Sequence, residues 1–128
     1  MNIAIIGTGN VGTGLDKGHA AADAFVKEYG GNVRGSDVAG AVRDADVVIL
    51  AVPYAETADV IAIAGSLSGK IVIDATNPLT EDFSGLTLGF ESSAAEEIQK
   101  RVAGAPAVKA FNTVFAQIYA AGPRFSAR

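Results

Sequence analysis

The chain has 128 residues, 49 % of them hydrophobic, with a formal charge of −4, no cysteine and a single histidine. That length suits one domain with a real core. The lack of cysteine excludes disulfides, thiolate metal sites and a cysteine nucleophile, and one histidine argues against a histidine-built metal centre. The ten Lys and Arg residues are scattered and form no stripe, which argues against nucleic acid as a partner.

In chain order, Ile3–Ile6 is a short apolar run of the width of a buried parallel strand. Val11, Leu15, Ala22, Val26 and Tyr29 then recur at helical spacing, and Gly30-Gly31 supplies a stop. A shorter helix is predicted from Ser36 as N-cap through Arg43, with Asp37 in its first turn. Val47–Val52 reads as a second strand closed by Pro53, and Glu56–Leu67 as a helix turning Val60, Ile61 and Ala64 inward. Ile71–Asp74 is a third strand, and Thr80–Gly89, rich in Gly, Ser and Thr, is a loop. Ser92 or Ser93 caps a helix through Val102, with Glu96 and Glu97 early and Lys100 and Arg101 late, as the helix dipole favours. Ala107–Phe111 is the fourth strand, and Thr113–Ala121 a last helix ending at Gly122-Pro123. The alternation predicts an α/β fold of Rossmann type: a doubly wound, mainly parallel sheet forming one dinucleotide-binding domain over residues 1–128. No apolar run approaches the roughly 18 residues that a membrane span needs. The amino terminus reads as a core strand without the basic flank or cleavage site of a signal peptide, so a cytoplasmic protein is expected.

The first strand runs directly into Gly7-Thr8-Gly9-Asn10-Val11-Gly12, a G-x-G-x-x-G fingerprint in the strand-then-helix setting that nucleotide binding requires. Gly7 allows the tight turn, Gly9 lets a pyrophosphate approach the backbone, and Gly12 lets the helix pack close to the strand. The N–H groups of Asn10, Val11 and Gly12 would face the phosphates, aided by the helix dipole. A glycine-rich turn without a ligand is the plainer alternative. In open α/β sheets ligands bind outside the carboxyl ends of the strands. The other ends here are Ala51-Val52-Pro53-Tyr54, Ala75-Thr76-Asn77-Pro78 and Phe111-Asn112-Thr113. Their Thr and Asn side chains suit ribose hydroxyls, phosphate and a carboxamide, although Asn77-Pro78 also fits an ordinary turn. Tyr54 either walls a nicotinamide or adenine pocket or simply packs at a helix start. Asp74 is expected to bond nearby backbone N–H groups in preference to acting as a base. His19 is expected on a solvated helix face. Lys109 either reaches solvent at the sheet edge or points to the ligand. The selector between NAD and NADP falls roughly 20 residues past the fingerprint, near Asn32–Ser36, where Arg34 and Ser36 suit a 2′-phosphate.

Together, Ile5–Gly12, Ala45-Asp46-Val47-Val48, Ala51–Tyr54, Asp74–Leu79 and Val108–Thr113 resemble the NADPH-dependent deazaflavin (coenzyme F-420) reductases and their dinucleotide-binding relatives. The resemblance covers most of residues 1–118, with five separated motifs in the right order. It implies NADP(H) as cofactor, with its pyrophosphate on Gly7–Gly12 and its cleft lined by Ala51–Pro53 and Ala75–Pro78. It also implies coenzyme F-420 or a related acceptor as hydride partner, and a homodimer. Hydride exchange between two cofactors asks for positioning more than for acid–base chemistry, so no catalytic side chain and no metal is expected. Prephenate, pyrroline-carboxylate and hydroxyacid dehydrogenases share the fingerprint but fit the later motifs less well.

Two departures qualify this. After Gly14-Leu15, the run Asp16-Lys17-Gly18-His19 looks like the family's next helix, so the family's second strand and selector turn are missing, and Asn32–Arg34 aligns with its third strand. Arg34 would then not select the phosphate. The family also continues well past Asn112-Thr113. The sheet is therefore expected to be incomplete, either because segments lie outside this sequence or because the form is truncated. A lost central strand is structurally costly, which favours the first account. The alternative function is a non-catalytic or degenerate dinucleotide-binding module.

Overall fold

A computed structural model describes residues 1–7, 23, 26–27 and 30–113. The helix expected over Val11–Tyr29 and the one over Thr113–Ala121 fall mostly outside these residues. So do Thr8, Gly9, Asn10, Val11, Gly12 and His19.

Four strands form one sheet: β1 (Ile3–Ile6), β2 (Val47–Leu50), β3 (Ile71–Asp74) and β4 (Ala107–Lys109), in spatial order β1-β2-β3-β4, every neighbouring pair parallel. Among the described residues three helices with full bounds lie between them: α1 (Val38–Arg43) before β2, α2 (Thr57–Ala64) before β3 and α3 (Ala94–Arg101) before β4. Each crossover steps one strand in the same direction. The right-handed rule for parallel connections therefore lays all three helices on one face. The buried cluster agrees: Ala4, Ile6, Val48, Leu50 and Val72 from the sheet meet Val42, Val60, Ile61 and Ile98 from the helices. Burying an aliphatic side chain of this kind contributes about 2 kcal/mol, so this layer holds the sheet together. The opposite face carries Ile3, Ile5, Ile71 and Val108, which are 45 to 51 % exposed among the described residues. The fold is α/β, Rossmann-type, with a parallel sheet.

The strand limits follow from local chemistry. β1 and β3 have the predicted bounds. β2 ends at Leu50, two residues short of the expectation, as the chain turns toward Pro53 and a 3-10 turn over Tyr54–Glu56. β4 ends at Lys109 because Phe111 takes a left-handed conformation at φ 70°, which no strand can continue. The helices show similar small shifts. Asp37 caps α1, its carboxylate accepting from the Gly40 N–H at 2.6 Å, so the helix starts one residue later than Ser36 would set it. α2 stops at Ala64 because Gly65, at φ 74°, turns the chain, and Leu67 is buried beyond the helix. Ser93 caps α3 in a full capping box: its hydroxyl accepts from the Glu96 N–H (3.2 Å), and its own N–H donates to the Glu96 carboxylate (2.7 Å). Those bonds from Ser93 hold the Glu96 carboxyl below its ordinary value.

Gly30 and Gly31 both take positive φ, and the Gly30 N–H donates to the Val26 carbonyl at 2.8 Å, the expected helix stop. Residues 33–37 follow in an irregular, mostly exposed stretch that joins no sheet among the described residues. Asn32–Arg34 therefore form no third strand, contrary to the family alignment.

Candidate functional site

The four strands end level with one another. Register pairs Ile6 with Leu50, Leu50 with Asp74 and Asp74 with Lys109. The ladder continues one bond past each: Ala51 N–H to Ile6 C=O (2.8 Å), Ala75 N–H to Leu50 C=O (3.1 Å) and Ala110 N–H to Asp74 C=O (3.1 Å). Gly7, Ala51, Ala75 and Ala110 thus stand in a row along the carboxyl edge, and the expected ligand segments leave from them. Gly7 has φ 108°, and a Cβ there would collide with the backbone carbonyl of Ala51. Both facts demand glycine: an L side chain would be strained in φ and would push the β1 and β2 ends apart. The bare edge left by this approach is the setting in which a phosphate can come close to backbone.

The β3 and β4 ends are joined by side chains. Asp74 is fully buried. One carboxylate oxygen accepts from the Thr76 N–H (2.8 Å), the role expected of it. The other accepts from Lys109 Nζ at 2.9 Å, and the same ammonium donates to the Thr76 carbonyl. Lys109 is exposed on the edge strand, as one of its two expected positions has it, and it also pairs across the strands, which neither expectation included. One residue further out, Asn77 Nδ2 donates to the Asn112 carbonyl and Asn112 Nδ2 donates to Asn77 Oδ1, each at 3.1 Å. Sequence reasoning named Asp74, Asn77, Lys109 and Asn112 separately but missed these pairings. The signal was an acid closing one apolar strand and a lysine near the close of the next.

Of the expected cofactor residues, the structure describes Gly7, Ala51, Val52, Pro53, Tyr54, Ala75, Thr76, Asn77 and Pro78. Ala51, Pro53 and Asn77 are exposed on the edge, and Val52, Ala75 and Pro78 are half-buried. Tyr54 packs partly buried against the helix-covered core, and its carbonyl accepts from the Thr57 hydroxyl at 2.7 Å. Thr76 is buried, and its hydroxyl is the one buried side-chain polar atom among the described residues without a hydrogen-bond partner. Arg34 is exposed, in the irregular stretch before α1.

Beyond Pro78 the predicted loop is well built. Leu79 and Leu86 form an isolated antiparallel bridge, and Thr80, Ser84 and the Ser84 N–H all donate to one Asp82 oxygen at 2.6 to 3.1 Å. Those bonds, from Thr80 foremost and then Ser84, bring the Asp82 carboxyl down to about 2 from an ordinary 3.8. Phe83 and Phe90 stand out from this loop into solvent. A hollow of about 370 Å³ opens along it between Leu86, Phe90 and Ser92. A smaller hollow of about 210 Å³, between Ile61, Leu67 and Val102, lies where α2 and α3 lead into β3 and β4. That is the amino edge of the sheet, remote from every candidate residue. Among the described residues no group of three or more His, Asp or Glu is placed to hold a metal ion, and no helix is long and apolar enough to cross a membrane.

Residues 2–78 match the family described as NADP oxidoreductase, coenzyme F420-dependent. That is more than half of the chain and includes every expected cofactor residue. Among solved structures, the chain is similar to the hypothetical protein SMa0349 of Sinorhizobium meliloti, with 37 % identity and a TM-score of 0.74 over 84 % of this chain and 52 % of that one. It is also similar to a candidate F420-dependent NADP reductase of Arthrobacter sp. FB24, with 26 % identity and a TM-score of 0.69 over 92 % of this chain and 65 % of that one. It thus spans between about half and two thirds of these relatives' lengths. Comparison with curated proteins finds no match. The family match and the parallel sheet with its level carboxyl edge agree, and the chain belongs to the coenzyme F420-dependent NADP oxidoreductase family.

Proposed function

We propose that residues 1–128 form the dinucleotide-binding domain of an NADP(H)-dependent oxidoreductase that exchanges a hydride between the nicotinamide and a second cofactor, a deazaflavin of the F-420 type or a related small acceptor. The observation that carries this reading is the β1–β2 junction, where Gly7 at φ 108° lies against the Ala51 carbonyl. A side chain at that point would run into the Ala51 carbonyl, so the turn that opens the fingerprint closes against β2 only with glycine. The unpartnered hydroxyl of Thr76 is a second fit, since a buried polar group of this kind calls for a partner.

In this reading Gly7, Thr8, Gly9, Asn10, Val11 and Gly12 hold the pyrophosphate, while Ala51, Val52, Pro53 and Tyr54 line one wall of the cleft and Ala75, Thr76, Asn77 and Pro78 the other. When bound, the nicotinamide supplies or accepts the hydride. The chain's own residues bind and orient it, and the Asn77–Asn112 pair fixes the outer rim of that wall. No side chain is assigned a proton-transfer role. The exposed Phe83 and Phe90 on the neighbouring loop offer flat apolar surface to a ring-shaped second ligand. The protein acts, on this reading, in the cytoplasm and as a homodimer.

The test is a titration of NADPH fluorescence with the purified protein, followed by mixing with oxidised F-420 and recording loss of the deazaflavin's visible absorbance. Saturable binding that is tighter for NADPH than for NADH, with NADPH-dependent bleaching, supports the reading. Binding without turnover of any deazaflavin or flavin acceptor reduces it to a dinucleotide-binding module. Absence of nucleotide binding overturns it.

A further inference from the structure

We propose that Lys109 is a positioning residue for the nucleotide site: paired with buried Asp74, it holds Thr76 so that the Thr76 hydroxyl is presented to the bound dinucleotide. This rests on the dinucleotide reading above and adds a residue to it, on a strand outside the part of the chain that matches the family.

Three bonds carry the argument. Asp74 accepts from the Thr76 N–H at 2.8 Å and from Lys109 Nζ at 2.9 Å, and Lys109 donates to the Thr76 carbonyl. Both peptide groups of Thr76 are therefore held by one ion pair, which fixes the backbone of the residue on either side of its α-carbon. The hydroxyl alone is left over. It is buried, and it has no hydrogen-bond partner among the described residues. Buried hydroxyls without partners are rare, and one held at the carboxyl edge of a parallel sheet is where a ligand of such folds would supply the missing bond.

The pair itself needs an explanation. Asp74 and Lys109 face one another in register on adjacent strands, with the acid fully buried and the lysine side chain 30 % exposed. Two apolar residues in register would join these strands at least as well, because taking charges out of water offsets much of their attraction. What an ion pair adds here is direction. Its free oxygen and its second donor reach the two peptide groups of Thr76, which no apolar pair could hold.

The experiment measures NADPH dissociation constants by fluorescence for wild type, Thr76→Val, Thr76→Ser, Lys109→Met and the double variant Lys109→Met/Thr76→Val, with circular dichroism confirming the fold of each. Thr76→Val keeps the shape and removes the hydroxyl, and is expected to weaken binding about tenfold, the loss of one hydrogen bond. Thr76→Ser restores the hydroxyl and should bind within about threefold of wild type, a rescue that a merely structural threonine would not give. Lys109→Met is expected to weaken binding by a similar factor. The double variant should be little worse than either single one, because the lysine acts through the hydroxyl.

Wild-type binding of Thr76→Val overturns the proposal whether or not Lys109→Met folds. So does wild-type binding of Lys109→Met, or losses that multiply in the double variant. If wild type binds NADPH and these variants bind equally, this inference fails and the dinucleotide reading stands. If wild type binds none, both fail together.

Discussion

At the β1–β2 end of the sheet the chain meets itself through bare backbone, Gly7 against the Ala51 carbonyl. At the β3–β4 end it is stitched by side chains, Asp74 to Lys109 and Asn77 to Asn112. The first junction derives its shape from what is missing. Without a Cβ the two strand ends close up on bare backbone, and on the proposed reading this junction would face the pyrophosphate, a contact strong in charge and poor in chemical detail. The second derives its shape from directed hydrogen bonds, which place individual polar groups and are suited to discriminating one ligand from another. The proposed dinucleotide would call on both, since its pyrophosphate is generic and its nicotinamide is not.

The sharpest way to break this comparison is at the glycine. Gly7→Val adds a branched side chain at φ 108° and drives it into the Ala51 carbonyl. Backbone strain and overpacking together should cost about 4 kcal/mol. Urea unfolding should show the loss, with NADPH binding abolished even where the variant remains folded. A Gly7→Val protein of wild-type stability would mean that this junction is loose and that its closeness has no structural role.

The two junctions also differ in how far the sequence discloses them. Gly7 closes β1 and opens the turn within a few residues of sequence, so its place at the strand end could be anticipated. The bounds of β1 and β3 and the capping box of α3 were legible for the same reason: apolar run length and the Ser93–Glu96 spacing are properties of short segments. The Asp74–Lys109 pair joins residues 35 apart. Seeing it requires knowing that β4 lies beside β3 and in which register. An isolated lysine in an apolar strand suggested solvent or a ligand, and neither option included a partner across the sheet. Where local signals competed, the shifts were small. Asp37 displaced Ser36 as a cap, and Gly65 ended α2 before Leu67, since a left-handed glycine outweighs a continuing apolar pattern. The largest misplacement, Asn32–Arg34 as a strand, came from alignment with a longer family, not from the residues themselves.

A milder perturbation asks whether the side-chain stitching is tight or decorative. Asn112→Ala removes the amide that donates to Asn77 Oδ1 and leaves that oxygen to water, because the pair lies on the edge. The expected cost is about 1 kcal/mol in stability, the net worth of one hydrogen bond. The effect on ligand affinity should be larger for NADPH than for a nucleotide lacking the nicotinamide, such as 2′,5′-ADP. Equal losses for both ligands would place the β3–β4 end away from the nicotinamide, and the division of labour between the junctions would be wrong.

The smallest expected effect distinguishes the two regions by pH. Backbone contact at Gly7 has nothing to titrate, whereas the loop leaving β3 is organised on the Asp82 carboxylate, which takes bonds from Thr80 and Ser84. Those bonds favour the ionised form and bring its pKa from 3.8 to about 2. A carboxyl whose value is depressed on folding stabilises the folded loop fully above its ordinary value, and that contribution is lost as the pH falls through the depressed one. The network is therefore complete at neutral pH, begins to lose its advantage below about 4 and is gone below about 2. Following the Asp82 side-chain carbon by NMR should give a midpoint near 2, with the amide signals of Phe83 and Ser84 moving in step while that of Gly7 does not. A midpoint near 3.8 would mean that the loop is not held by its carboxylate, and Phe83, which sits at φ 58° on that loop, would lose the bonds that keep it in a left-handed conformation.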